Sequence, residues 1–467
     1  MNSLFRHHPT AAALLLSLAI ACAAGSAQAG KYVVTDLGTL GGSQAFPHGI
    51  NASGQVVGDA YLSGDSAEHG FRTKPNQPIN PATDDVGTLG GTWSAAYSIN
   101  NRGQVAGIAA LANGTVEPYR LDATGTLQDL GSLFGLPNSV ANGINNLGQV
   151  TGASWVNGGA YCYFVGGSHA YLTAANSPLN PSDDLGTAIP GNCRYSDGFA
   201  VNDAGHVVGY TAASNFASPQ QHAMYWTPNG GLQDLGVLGI TPGVPNNLID
   251  ATAVAINASD WIVGRSTYNH DPAISAYATH AFFSIAGGPM TDMGTLGGNW
   301  SEASGINSAG AIVGDATLAG DSASHAFLYA NGTMQDLNNA LPAGSNWVLV
   351  SAEGINDSGQ IIATGWLNGV AFVGHAVRLD PSDVADYILM SELSDPSLGL
   401  TSGQIASLTD KLTNALASIQ AGLNKQAVNQ LNAFVNAVQV MLKTGKISAN
   451  TASILTSAAN AIIATLS

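Results

Sequence analysis

The sequence predicts an all-β, seven-bladed β-propeller followed by a small all-α three-helix module. A phrase of the form Ile-Asn-x-x-Gly-Gln-Val-Val-Gly recurs seven times, with its Asn at Asn51, Asn100, Asn145, Asn202, Asn257, Asn307 and Asn356. The copies stand about 51 residues apart, the period of propeller blades rather than of shorter solenoid repeats. The chain also opens with a strand-like run that matches a piece missing from the seventh copy. After Asp380-Pro381 glycine thins out and helical apolar stripes begin. The order of units is then a signal peptide over 1–29, the repeats over 30–380, a linker over 381–400 and a helical bundle over 401–467.

At the N-terminus Arg6, His7 and His8 precede an apolar run from Ala11 to Ala24, and Ala27-Gln28-Ala29 offers the small-x-small pattern of a signal peptidase site. Cleavage is expected after Ala29. A lipoprotein reading through Cys22 fits less well, because Ala19 stands three residues before it where a larger aliphatic is wanted. No transmembrane segment is expected in the mature chain, since no later run reaches about 18 apolar residues. The expected location is therefore outside the cytoplasm: secreted, periplasmic or at the cell surface. In that setting Cys162 and Cys193 are a disulfide candidate, with two buried free thiols as the alternative.

Within a repeat, the stretch from Ser304 to Asp315 sets β-branched Ile306, Ile312 and Val313 on either side of Asn307-Ser308-Ala309-Gly310, which is turn chemistry. A second hairpin follows, with His325 to Tyr329 running out, Asn331-Gly332 turning, and Thr333 to Leu337 running back. Two hairpins make the four short strands of one blade. An Asp-Leu-Gly phrase precedes each Asn phrase, with its Asp at Asp36, Asp85, Asp129, Asp184, Asp234, Asp292 and Asp336. A His-Ala-Phe-like phrase follows it, beginning at His69, His169, His222, His280, His325 and His375; the second repeat has Pro118-Tyr119 there.

The last repeat stops at His375-Ala376-Val377-Arg378-Leu379 without a returning strand. Tyr32-Val33-Val34-Thr35-Asp36-Leu37-Gly38 is that strand, so the N-terminus is expected to complete the seventh blade and remove exposed edges. An open β-solenoid is the alternative, and it leaves this strand unexplained.

Asp-Leu-Gly-Thr-Leu-Gly-Gly at 36–42 with its near copy at 292–298, the Ile-Asn-x-x-Gly-Gln core and His-Ala-Phe at 325–327 resemble the HAF-type extracellular repeats of bacteria over about residues 31–380. The second repeat lacks the His and the seventh has Val377 for the Phe. The resemblance implies exported proteins with a propeller fold and no shared catalytic residue.

In the C-terminal segment Ile405, Leu408, Leu412, Leu416, Ile419 and Leu423 form one helical face, and Thr401 with Gln404 reads as a capping box. A second stripe is Val428, Leu431, Val435, Val438 and Leu442. Gly445 ends it, Ser448 can cap a third helix, and Leu455, Ala459, Ile462 and Leu466 form the third stripe. Leu431-Asn432-Ala433-Phe434-Val435 followed by Gly445-Lys446-Ile447-Ser448 resembles the FIMAH-type helical domain, which implies an accessory module for attachment or assembly.

Charge narrows the function. There are 13 Lys and Arg against 30 Asp and Glu, a formal net charge of −17, so a phosphate-backbone partner is not expected. The repeated histidines fall in separate blades and cannot converge on one zinc ion; they read as structural, bonding a neighbouring blade's backbone. The Asp of Asp-Leu-Gly reads as a turn residue. Features that break the symmetry are better site candidates: Trp93, Trp300 and Trp347, in loops before the inner strand, with Asp59, Asp65, Asp315 and Asp321 on the loop between the second and third strands. Aromatic platforms beside carboxylates suit sugar rings, while tryptophans that fill gaps between blades are the structural alternative. The aspartate pairs could also hold calcium through oxygen ligands; no other cofactor is expected.

No nucleophile or phosphate-loop motif is present, so the catalytic and metal-binding residues stay unassigned. The expected function is non-catalytic binding or adhesion, with an extracellular glycan or cell-surface component as partner. The alternatives are a polysaccharide lyase or hydrolase using the same face, and a structural repeat scaffold.

Overall fold

The computed structural model describes residues 32–136, 138–155, 168–187, 193–214, 219–239, 250–271, 276–342, 344–368, 373–381, 400–420, 423–448, 451–452, 455–456, 459–460 and 462–463. The expected signal peptide and Cys162 lie outside these residues. Among them the chain is mostly β, in antiparallel sheets of three or four strands of the propeller kind, two of which join through one parallel pair, Thr279 with Trp300, into an eight-stranded sheet, followed by helices.

Each sheet is laid down outward from an inner strand. In the first repeat β2 (Gly41–Ile50), β3 (Val56–Leu62) and β4 (Glu68–Arg72) lie in that order, and Asp85 bridges Phe71 where the fourth strand belongs. The second repeat repeats the pattern with Gly90–Ile99, Val105–Leu111, Val116–Leu121 and Leu127–Asp129. In the last, Trp347–Ile355, Ile361–Leu367 and His375–Pro381 are completed by β1 (Tyr32–Asp36), which runs antiparallel from Tyr32 opposite Pro381 to Asp36 opposite Val377.

The hairpin phrase earns its recurrence twice over. The Oδ1 of Asn51 accepts the backbone N–H of Ser53 at 3.1 Å and of Gln55 at 3.0 Å, and Gly54 takes φ +76°, so Asn and Gly together make the turn. The Nδ2 of the same Asn then reaches the next repeat, donating to the carbonyl of Asn100 at 3.1 Å. The same bond runs from Asn100 to Asn145, on to Asn202, Asn257, Asn307 and Asn356, and from Asn356 back to Asn51 at 3.0 Å. Gly58 is needed for another reason: a Cβ there would sit 1.9 Å from the carbonyl oxygen of Phe46 on the inner strand.

The histidines correct one expectation. Each bonds the Asp of its own sheet rather than a neighbour's backbone: His69 with Asp85 at 3.0 Å, His169 with Asp184 at 3.0 Å, His222 with Asp234 at 2.9 Å, His280 with Asp292 at 2.8 Å, His325 with Asp336 at 2.7 Å and His375 with Asp36 at 3.1 Å. The reason is register, since the third and fourth strands set these two positions side by side. The Asp is also the expected turn residue, as Asp36 Oδ1 accepts the Gly38 N–H at 3.0 Å. Between sheets the core is small and repeated; Val57 of the first repeat packs with Ala96, Ile99, Val105, Ala109 and Tyr119 of the second.

The helices are α1 (Ser402–Gln420) and α2 (Asn424–Lys443), with further helical residues between 451 and 463. The capping box is present: the Thr401 N–H donates to Gln404 Oε1 at 2.7 Å and the Gln404 N–H to Thr401 Oγ1 at 3.3 Å. Gly445, at φ +64°, ends α2, and Ser448 accepts the Thr451 N–H at 3.0 Å. In α2 the fully buried residues are Ala427, Leu431, Phe434 and Val438; of the expected stripe Leu431 and Val438 are among them, and Val435 and Leu442 pack half-buried against the same core. No described helix is long and apolar enough to cross a membrane.

Candidate functional site

One backbone device recurs in every inner strand. Pairing with the second strand skips a residue three positions before the Asn, which leaves His48, Tyr97, Asn142, Phe199, Val254, Ser304 and Glu353 as bulges. A β-bulge releases its residue from the ladder and re-aims the side chain. The surrounding phrase repeats closely, yet these seven side chains all differ.

The inner strands pack each on the next, with Trp347–Ile355 against β2, so bulge residues meet their neighbours. The His48 ring stands edge-on to Tyr97 with centroids 5.5 Å apart. Asn142 Nδ2 donates to Asp197 Oδ1 at 3.1 Å and to the Gly198 carbonyl at 2.9 Å, and Phe199 lies 6.1 Å from Tyr210. Glu353 lies close enough to His48 for each to shift the other's titration. Nearer the Asn turns, Ile50, Ile99, Ile144, Val201, Ile256, Ile306 and Ile355 form an apolar collar around a cavity of about 280 Å³, rimmed by the seven asparagines and the residues after them.

Titratable groups gather in one sector, behind the bulges of the first, sixth and seventh repeats. His48 Nε2 is hydrogen-bonded to Asp59 Oδ1, Ser324 Oγ donates to Asp315 Oδ2 at 2.8 Å, Ser351 Oγ donates to Glu353 Oε1 at 2.5 Å, and Arg265 pairs with Glu302 at 2.9 Å. Burial pulls the His48 imidazole down, but its bond to Asp59 and the charges of Asp59, Glu353 and Glu68 lift it above its ordinary value. A hydrogen bond to Asp59, then burial and the charge of Asp59, raise Glu68 to about 7 against the pull of His48. Burial, with the charges of Glu353 and Glu302, raises Asp315 to about 7 despite the Ser324 bond. Burial raises Glu353 despite Ser351 and His48. Glu68 and Asp315 therefore change protonation near neutrality, and water reaches the sector, since the His48 side chain is 31% exposed.

The sequence-predicted residues divide. Asp59 and Asp315 occupy matching places on second strands, opposite Phe46 and Glu302 of their inner strands, inside this sector. Asp65 and Asp321 do not join them; they sit in the loops and tie loop to strand, Asp65 accepting the Ser43 N–H at 2.8 Å and Asp321 accepting the Asn299 N–H at 2.7 Å and its side-chain amide at 2.9 Å. Three residues of strand separate Asp59 from the loop, about 10 Å at strand rise. Trp93 and Trp300 lie within the opening residues of inner strands rather than in loops, both half-buried, and Trp300 pairs with Thr279 of the preceding sheet. Trp347 packs against the buried core of the last sheet and edge-on to His375 at 5.4 Å. Cys193 starts a strand, but its expected partner is outside the described residues. No group of three or more His, Cys, Asp or Glu suited to a metal ion occurs among the described residues.

Sequence reasoning missed His48, Glu68, Tyr97, Glu302 and Glu353. The available signal for His48, Tyr97 and Glu353 was a variable position three residues before a recurrent Asn; Glu68 and Glu302 lie outside it.

Comparison with known proteins adds the family. A model described as a protein of unknown function, DUF3466, matches residues 70–373. The chain belongs to the DUF3466 family. The DUF3466 match takes in six of the seven bulge positions and leaves out His48, Asp59 and Glu68. A FIMAH domain matches residues 397–464, in keeping with the resemblance of the helical segment, whereas the HAF-type resemblance has no counterpart among these matches. No curated protein matches the chain.

Among solved structures, the chain is similar to an acylaminoacyl peptidase from Pyrococcus horikoshii, at 8% identity and TM-score 0.45 over 74% of this chain and 52% of that one, so it spans about half the length of that protein. It is also similar to the BP39L lectin from Burkholderia pseudomallei, at 10% identity and TM-score 0.31 over 73% and 97% of the two chains. A third likeness is to the Aleuria aurantia lectin in complex with alpha-methyl-L-fucoside, at 12% identity and TM-score 0.26 over 60% and 91%. At such scores these likenesses carry no argument about ligand or activity.

Proposed function

We propose that this DUF3466 protein is an exported, non-catalytic binding protein of the cell surface or extracellular matrix, a closed seven-bladed propeller that takes a glycan on its axis. Closure is supported by the Asn-to-carbonyl bonds that return from Asn356 to Asn51 and by β1 completing the last sheet. Export is supported by the leader-like residues 1–29. The observation that carries the binding reading is the set of seven bulges with unlike side chains on an otherwise repeated scaffold. Its polar members, with Asp59 and Asp315, can exchange hydrogen bonds with hydroxyls, while Tyr97 and Phe199 offer faces for the apolar side of a sugar ring. Trp93 and Trp300 extend that surface outward. The FIMAH module would serve attachment.

Glycan-array screening of the full chain tests the reading. Binding should be found, and it should fall at least tenfold in Phe199→Ala and in the Trp93→Ala/Trp300→Ala double variant. No glycan bound, or binding unchanged in both variants, overturns the assignment.

One observation favours a catalytic alternative: Glu68, raised to about 7, shares a hydrogen bond with Asp59, the pattern of an acid that can hold or release a proton at working pH. New reducing ends or unsaturated products from polysaccharides, lost in Glu68→Gln, would establish it over the binder.

A further inference from the structure

The Asp-Leu-Gly phrase lies at the outer edge of its sheet, and the residue three before its Asp, in the strand or just ahead of it, can be compared across the seven repeats. In six repeats that residue is Ala82, Thr126, Pro181, Gly231, Pro289 or Thr333, and all six are exposed. In the closing strand β1 it is Val33, which is only 5% exposed. Val33 is buried in the core of the helical module, in one cluster with Leu408, Leu412, Leu431, Phe434, Val438 and Leu455. The neighbouring residues of β1 face the other way: Tyr32 belongs to the core of the last sheet and Val34 packs against it. The strand that closes the chain on itself is thus gripped on two sides, by its own sheet and by the helices.

We infer that the helical module is a lock on ring closure: its core is completed by Val33, so that β1 and the helices hold each other in place. An outermost strand is the weak point of such a closure, because it is paired along one edge only and its release would leave the last sheet with an open edge. His375 and Asp36 hold one end of β1, where Asp36 itself is exposed. Val33 supplies the apolar contact near the other end. A contact shared by two units couples their opening, and the coupling must be reciprocal: loosening either unit loosens the other.

Hydrogen exchange read by mass spectrometry on the full chain tests this with two variants, one on each side of the contact. Val33→Ser takes an apolar group out of the shared core while leaving the β1 backbone free to pair. Amides of α1 and α2 should then exchange roughly tenfold faster or more, the effect expected from a lost buried Val side chain, while the sheet of Gly90–Asp129 keeps its rates. Phe434→Ala loosens the helices from within, and the amides of Tyr32–Asp36 should speed up in turn. Helical exchange unchanged in Val33→Ser would overturn the inference, as would β1 exchange unchanged when Phe434→Ala has loosened the helices. If Val33→Ser fails to fold, Val33→Ala read on the same amides decides between the same outcomes.

Discussion

Replacing Asn356 by Asp tests closure at one bond. The Asn356 side chain is buried at 5% exposure; its Nδ2 donates to the Asn51 carbonyl at 3.0 Å and to Gln360 Oε1 at 2.8 Å, and its Oδ1 accepts from the Ser358 and Gln360 backbone N–H at 3.1 and 3.0 Å. Aspartate keeps the accepting oxygen and the shape but turns the donor into a second acceptor facing two oxygens. Two hydrogen bonds are lost at about 1 kcal/mol each, and the buried acceptor contacts add to that, for a cost of about 2–4 kcal/mol. Asn145 is the control, since its Nδ2 donates to the Asn202 carbonyl at 2.9 Å and to Gln149 Oε1 at 2.8 Å. In a closed round Asn145→Asp and Asn356→Asp cost the same. In an open solenoid Asn356 has no Asn51 to reach, and its variant costs about half as much. Urea denaturation followed by near- and far-UV circular dichroism gives both values. An Asn356→Asp cost of about half that of Asn145→Asp, or less, would refute the reasoning.

Two further predictions concern the strand pairs. In the second repeat Glu117 stands where the other repeats carry His; its Oε2 has no partner among the described residues, and burial followed by the Asp129 charge raises it to about 6. The raised value means that ionising Glu117 destabilises the fold as pH rises past its ordinary 4.5, so Glu117→Gln should stabilise by up to about 1 kcal/mol at neutral pH after solvent screening and have no effect well below pH 4.5, as read by melting temperature against pH. In the His–Asp pairs burial pushes Asp184, Asp234 and Asp292 up, but the bonds from their histidines and from the following glycine N–H leave all three below the ordinary carboxylate value. Their contribution is complete above the unfolded value of about 4 and is lost as pH falls through the lower folded values; replacing His169, His222 and His280 together by Asn should shift the onset of acid unfolding to higher pH, and an unchanged acid limb would show that the pairs do not stabilise.

Most of the architecture was legible because it is made by phrases that recur. Asn51 and its six counterparts are fixed by turn chemistry that any single copy displays, and β1 was recognisable as a strand without a partner. What the phrases could not disclose is direction. The sequence places His69 and Asp85 in two separate motifs, and only the register of the third and fourth strands brings them to 3.0 Å. Asp59 and Asp65 look alike as aspartates of one loop region, but strand geometry sends one to His48 and spends the other on the Ser43 N–H. Trp347 looks like Trp93 and Trp300 by its place before the inner-strand phrase. It stands nine residues before its Asn where they stand seven, and that offset sets it against the core of the last sheet.

The division between repeated and unrepeated residues follows from the load each carries. An Asn that both turns its own hairpin and bonds the next cannot vary without orphaning buried groups in two sheets, so it recurs in all seven copies. A bulge residue makes no ladder hydrogen bond, and its backbone conformation is held by the strands around it whatever its side chain. His48, Tyr97, Asn142, Phe199, Val254, Ser304 and Glu353 are therefore the positions at which this scaffold can change chemistry at the least cost in stability. The same reasoning applies to Val33, the one position of its series that is buried. It departs from its six counterparts because it alone has a second unit to pack against.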